Sequence, residues 1–133
     1  MSDAHDLVQQ ARQAAESAYA PYSQFRVGAV VVADDGRRFS GVNVENAAYG
    51  STVCAEASAI AAAATAGVRK IDTIAVGCLD VAECYACGNC RQLMREFAVG
   101  AVLVQDGAGG VREHTLEDLL PHSFGPESLG SDG

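Results

Sequence analysis

Apolar residues near the start of the chain recur at three- and four-residue spacings: Leu7, Val8, Ala11, Ala14, Ala15 and Ala18. That period predicts an amphipathic helix over residues 3–19, with Asp3 as its N-cap. Ala20-Pro21-Tyr22-Ser23 breaks it, and Val27 to Ala33 becomes a continuous apolar, β-branched run. Asp34-Asp35-Gly36 supplies turn chemistry before Arg37 to Val44 returns with partial alternation, which together predict a hairpin. Cys54 to Ala66 is rich in alanine and stops at Gly67, the pattern of a helix with glycine just past its end. Ile71 to Cys78 predicts a buried strand. Cys87 to Phe97 predicts a further helix, with Leu93, Met94 and Phe97 available to pack. Ala101 to Gln105 and Val111 to Thr115 predict strands joined across Asp106-Gly107 and Gly109-Gly110. Thr115-Leu116-Glu117-Asp118 has the chemistry of a helix start, and Pro121 stops it. The order helix, hairpin, then alternating helix and strand implies an α/β fold with a mixed sheet between helices.

At 133 residues the chain has the length of one domain. We assign that domain to residues 1–126, followed by a Ser/Gly/Asp-rich tail over 127–133 that is expected to be mobile. The 17 acidic against 9 basic side chains give a net charge of −8, which repels phosphate backbones. Arg37-Arg38 and Arg69-Lys70 are only short basic pairs, so a nucleic-acid polymer is not an expected partner. No segment approaches a membrane span. Met1-Ser2-Asp3-Ala4-His5 lacks the basic-then-apolar order of a signal peptide, so a cytoplasmic location is expected. Five cysteines, two of them in a CxxC, suggest metal or thiol chemistry in a reducing compartment over a disulfide framework. A redox CxxC would leave the third cysteine unused.

That third cysteine stands in Cys54-Ala55-Glu56, ahead of Cys87-Gly88-Asn89-Cys90. Three thiolates suit Zn²⁺ and leave a fourth position for water, whereas a structural site would fill it with another Cys or His. An open zinc position lowers the pKa of its water to roughly 7. Glu56 is then placed to carry the proton, although a glutamate in a first helical turn is commonly just a dipole partner. Both cysteine segments open predicted helices, whose free N–H groups favour thiolates. Three thiolates leave the zinc centre at about −1, so further donors are needed. Arg91, directly after the last cysteine, is a candidate donor to a ligand sulfur. His5, His114 and His122 have no convergent partners in sequence, and Cys78 and Cys84 fall outside the ligand spacing.

Zinc deaminases of nucleobases combine a three-cysteine or His/Cys/Cys site with a non-ligand glutamate. Beyond that template, the chain resembles the small, homotetrameric cytidine deaminases from about Tyr19 to Phe124. The carrying stretches are Pro21-Tyr22-Ser23-Gln24-Phe25-Arg26-Val27-Gly28-Ala29 and Asn43-Val44-Glu45-Asn46-Ala47-Ala48-Tyr49-Gly50. Cys54-Ala55-Glu56, Cys87-Gly88-Asn89-Cys90-Arg91-Gln92 and Leu119-Leu120-Pro121-His122-Ser123-Phe124-Gly125-Pro126 follow in order.

The resemblance implies a three-layer α/β/α fold with a mixed five-stranded sheet and one Zn²⁺ per subunit, held by Cys54, Cys87 and Cys90. It implies hydrolysis of cytidine and 2′-deoxycytidine to the uridines and ammonia, in pyrimidine salvage. Zinc-activated water would attack C4 and Glu56 would move the protons. Asn43 and Glu45 would hold the ribose 3′-hydroxyl, Phe25 would pack on the base, and the Ala55 backbone would bind its carbonyl edge. Ala47, Tyr49 and Phe124 would approach from neighbouring subunits of a homotetramer. The chain departs from the family at Ala86, usually proline, and at Ala57, often arginine. A blasticidin-type antibiotic substrate is disfavoured by Glu45, and a purely structural zinc module by Glu56.

Overall fold

The computed structural model describes residues 3–107 and 109–130. Its first helix, α1 (Asp3–Ala15), buries Leu7, Val8, Ala11 and Ala15, the stripe the spacing predicts. It ends four residues earlier than expected, and Asp3 lies in its first turn. The reason is competition for backbone groups. Tyr19 donates to the Asn43 carbonyl and accepts from Glu45 N–H, so the chain leaves the helix to pair with that segment.

The hairpin forms as β1 (Val27–Ala33) and β2 (Arg38–Val42), turning at Gly36 with φ +91°. The alanine-rich helix α2 (Ala55–Thr65) follows, and Gly67 beyond its end adopts φ +96°. Then come β3 (Ile71–Cys78), α3 (Gly88–Glu96), β4 (Ala101–Asp106), β5 (Gly110–Thr115) and the short α4 (Leu116–Leu119). Thr115 caps α4 by accepting from Asp118 N–H at 3.2 Å.

The strands form one mixed sheet in the order β2-β1-β3-β4-β5. Only β3 and β4 run parallel among the described pairs, joined by the crossover through α3. Alternation along β1 sends Ala29, Val31 and Ala33 toward α2 and α3. Val30, with Ala75 and Leu103, packs against Leu7, Val8 and Ala11 of α1. The sheet is therefore sandwiched between helical layers, as the resemblance implies.

Two glycines let the helices lie directly on the strands. A Cβ on Gly28 would sit 2.0 Å from the Ala11 carbonyl oxygen, and one on Gly41 would sit 2.3 Å from the Ala59 nitrogen. Close seating of α2 matters for function, because Cys54 is its N-cap and its first turn carries Glu56.

The segment after α4 is held by α3. Gln92 Nε2 donates to the Phe124 carbonyl at 2.8 Å, Arg95 Nε donates to the Ser123 hydroxyl at 3.0 Å, and the Arg95 guanidinium pairs with Glu127. Residues Pro126–Leu129 form a 3₁₀ turn where sequence composition suggests a tail without structure. The rest of that tail, residues 131–133, lies outside the described residues. No helix among the described residues is long and apolar enough to cross a membrane.

Candidate metal centre and active site

Cys54 is the N-cap of α2 and Cys87 the N-cap of α3, while Cys90 lies in the first turn of α3. Their sulfurs lie within 4.8 Å of one another, and Cys54 Sγ is 3.9 Å from Cys87 Sγ. A disulfide needs about 2.05 Å, so these are separate thiols. Tetrahedral ligands at a Zn–S distance of about 2.3 Å would stand roughly 3.8 Å apart, so the spacing fits one shared ion. Three soft donors in one place also match zinc by chemistry.

The electrostatics of the three thiols are divided. Burial opposes ionisation of Cys87, yet hydrogen bonds from the Cys90 backbone N–H, the other two thiols and the Asn89 N–H outweigh it and lower its pKa. Burial raises Cys54, with the Cys87 charge adding to it. Cys90 is pushed up by burial, then by Glu56 and the other two cysteines. Cys87 is thus the thiol whose ionisation the protein itself favours. A bound cation would favour the thiolate form of all three.

Glu56 is 4% exposed, one residue into α2 beside this cluster. Burial raises its carboxyl above the ordinary glutamate range, the property of a group that must both take and return a proton. It faces a cavity of about 180 Å³ whose lining includes Cys54, Ala55, Phe25 and Asn43, all named from sequence. Val27, Thr52, Val53, Cys84 and Tyr85 complete that lining and were not expected at the site from sequence. Cys84 and Tyr85 belong to the loop between β3 and α3, where no periodicity signals which way a side chain points.

The other expected residues lie elsewhere. Glu45, Ala47 and Tyr49 line a second cavity of about 520 Å³ with Tyr22, Ser23 and Asn46; Thr52 borders both cavities. Tyr49 is 90% exposed and Phe124 59%. Within this one chain, neither lines the cavity that holds Glu56.

Arg91 requires a correction. Its Nε donates to the Ala86 carbonyl at 2.9 Å, and a terminal nitrogen donates to the Leu119 carbonyl at 2.9 Å. The guanidinium therefore braces the loop before Cys87 against α4 and is not directed at a ligand sulfur. Orphan carbonyls at the loop and at the end of α4 compete for it successfully, because helix N-termini already serve the thiols.

Asn43 and Glu45 are both tied to the segment that carries Phe25. Asn43 is 9% exposed; its Oδ1 accepts from Val27 N–H at 3.0 Å and its Nδ2 donates to the Phe25 carbonyl at 2.7 Å. One amide hydrogen and one lone pair remain for a ligand. Glu45 Oε1 accepts from the N–H groups of Tyr22 and Ser23 at 3.0 and 3.1 Å, and its Oε2 accepts from the Ser23 hydroxyl.

Residues 1–106 match the family described as the cytidine and deoxycytidylate deaminase zinc-binding region. The chain belongs to this family. The cytidine deaminase of Sporosarcina psychrophila is 40% identical over 129 residues, covering 96% of this chain and 95% of its own. That of Mycobacterium tuberculosis strain H37Rv is 41% identical over 121 residues, covering 90% and 87%. The crystal structure of the Burkholderia pseudomallei cytidine deaminase superposes with a TM-score of 0.85 at 43% identity, covering 93% of this chain and all of that one. The five-stranded mixed sheet is thus that of the cytidine deaminases. In this member of the deaminase family, Cys54, Cys87 and Cys90 are the group that can hold the zinc ion.

Proposed function

We propose that the chain hydrolyses cytidine and 2′-deoxycytidine to uridine and 2′-deoxyuridine, releasing ammonia, in pyrimidine salvage in the cytoplasm. The observation that carries this reading is a cluster of three convergent sulfurs that meets, at Cys54, one small cavity lined by a buried carboxyl, an aromatic ring and a buried amide. At about 180 Å³ it is smaller than the roughly 300–1,000 Å³ usual for small-molecule sites, and so suits a single heterocycle. The ribose then extends past Asn43 and across Thr52 toward Glu45.

Cys54, Cys87 and Cys90 would hold the zinc, which would supply Lewis-acid activation of water near pH 7. Glu56 takes the proton from the attacking water, places it on N3 of the base and then delivers one to the departing amine. Burial, which raises its pKa above the ordinary glutamate value, favours the protonated form between the two transfers. Phe25 packs on the base, and the Ala55 N–H, at the free N-terminus of α2, meets the carbonyl edge. Asn43 offers its remaining amide hydrogen to the ribose 3′-hydroxyl. Since the 2′-hydroxyl is not gripped, the deoxynucleoside is accepted.

The catalytic domain is residues 1–126, working as a homotetramer. Exposed Tyr49, Ala47 and Phe124 support this part of the reading, because each then finds its cover and its role at a neighbouring subunit's site. Loss of cytidine absorbance with purified protein tests the activity. Turnover abolished by a chelator and restored by Zn²⁺ supports it. Zinc-loaded protein that leaves cytidine unchanged rejects it.

A further inference from the structure

Tyr85 lines the cavity beside Glu56, yet nothing in the reaction described above uses it. Its side chain is not loose. The hydroxyl lies 3.0 Å from Nε2 of His114, and the two rings stand 5.4 Å apart at 55°. His114 sits on β5, opposite Val102 of β4, so the anchor is part of the paired sheet. A tyrosine has two soft side-chain dihedrals, and a ring contact plus a hydroxyl tether restrain both. The residue is 39% exposed, which puts it at the rim of the cavity.

Tyr85 also belongs to the same loop as Cys84 and Cys87, and it lines the cavity together with Glu56 and with Cys54 of the sulfur cluster. A substrate must bring its reacting carbon to that cluster. With N3 turned to Glu56, C5 on the other side of that carbon is left to the rest of the lining, which includes Tyr85.

We propose that Tyr85, pinned by His114, is a specificity-determining residue that limits the size of the C5 substituent a cytosine nucleoside can carry into this cavity. The inference rests on the deaminase reading above. Tyr85 acts by direct contact. His114 acts through it, as a positioning residue.

The test compares kcat/KM for cytidine and 5-methylcytidine. Tyr85→Ala raises the ratio of methylated to unmethylated substrate by roughly tenfold or more, the scale of one methyl group in a tight pocket. Tyr85→Phe, which keeps the ring and cuts the tether, raises it less, and this variant decides the matter if Tyr85→Ala fails to fold. His114→Ala raises it no more than Tyr85→Phe, because the Arg112 side chain also reaches the Tyr85 hydroxyl, and the double variant adds nothing beyond Tyr85→Phe. An unchanged ratio in folded Tyr85→Ala or Tyr85→Phe overturns the proposal, as does full additivity in the double variant. Failure of the wild-type protein to deaminate cytidine would instead reject the parent reading.

Discussion

The side-chain amide of Asn43 donates to the Phe25 carbonyl at 2.7 Å. The residue proposed to grip the sugar therefore also sets the strand entry that carries the residue proposed to pack on the base. Asn43→Ala removes this bond and the one from Val27 N–H, leaving two backbone groups short of a partner. A fully buried stranded group costs about 1–3 kcal/mol, and these partly buried ones cost less. We expect a lower urea midpoint together with a raised KM for cytidine. If the midpoint stays put, the bond is not structural.

Glu56→Gln keeps the shape of the buried side chain but cannot relay a proton. Turnover is expected to fall on the order of 10²–10⁴-fold with zinc content unchanged. Near-normal turnover would remove Glu56 from the mechanism and leave the metal centre as a fold element.

Glu45 makes stability depend on acid pH. The Ser23 hydroxyl, then the Ser23 and Tyr22 N–H groups, outweigh its lost hydration and hold its carboxyl below the ordinary value of 4.5. A folded pKa below the unfolded one stabilises the fold above the unfolded value, and that contribution is lost as pH falls through the folded value. The stability difference between wild type and Glu45→Gln should be largest near pH 7 and shrink below about pH 4. An equal difference at pH 7 and pH 3 contradicts this.

Close seating of α1 on the sheet depends on Gly28. In Gly28→Ala the new Cβ meets backbone, the Ala11 oxygen at 2.0 Å and the Ala15 nitrogen at 2.7 Å, so the helix must lift. Destabilisation of about 1–3 kcal/mol or more follows. Gly50→Ala meets nothing within 4 Å and serves as the control, expected within about 0.5 kcal/mol of wild type. Equal midpoints for the two variants would show that α1 yields freely.

Arg91 and Cys87 separate bracing from ligation. Cys87→Ser is expected to lose zinc and, with it, the stabilisation a bound ion confers. Arg91→Met is expected to keep zinc while its melting temperature falls, because only the Ala86 and Leu119 carbonyls lose a donor. Zinc loss in both variants would mean that Arg91 serves the sulfurs after all.

Most of the secondary structure was legible because each element has local causes. The β-branched run at Val27–Ala33 and the alanine block ending at Gly67 have little choice of conformation. The end of α1 was not legible, since apolar spacing continues to Ala18 while Tyr19 is drawn off by Asn43 and Glu45. The same holds for Arg91: spacing puts it next to a ligand, but its donors answer carbonyls that only folding brings near.

What the sequence determined by itself was the chemistry: three thiols, one carboxyl and the helices that present them, all encoded within short segments. Tertiary structure alone decided which groups share a cavity. It separated Glu45 from Asn43, brought Tyr85 to the rim and gave His114 its partner. The physical reason is that a motif specifies its own backbone through local sterics and hydrogen bonds. The contents of a cavity depend instead on loops and strands far apart in sequence, whose meeting is set by how the whole sheet packs.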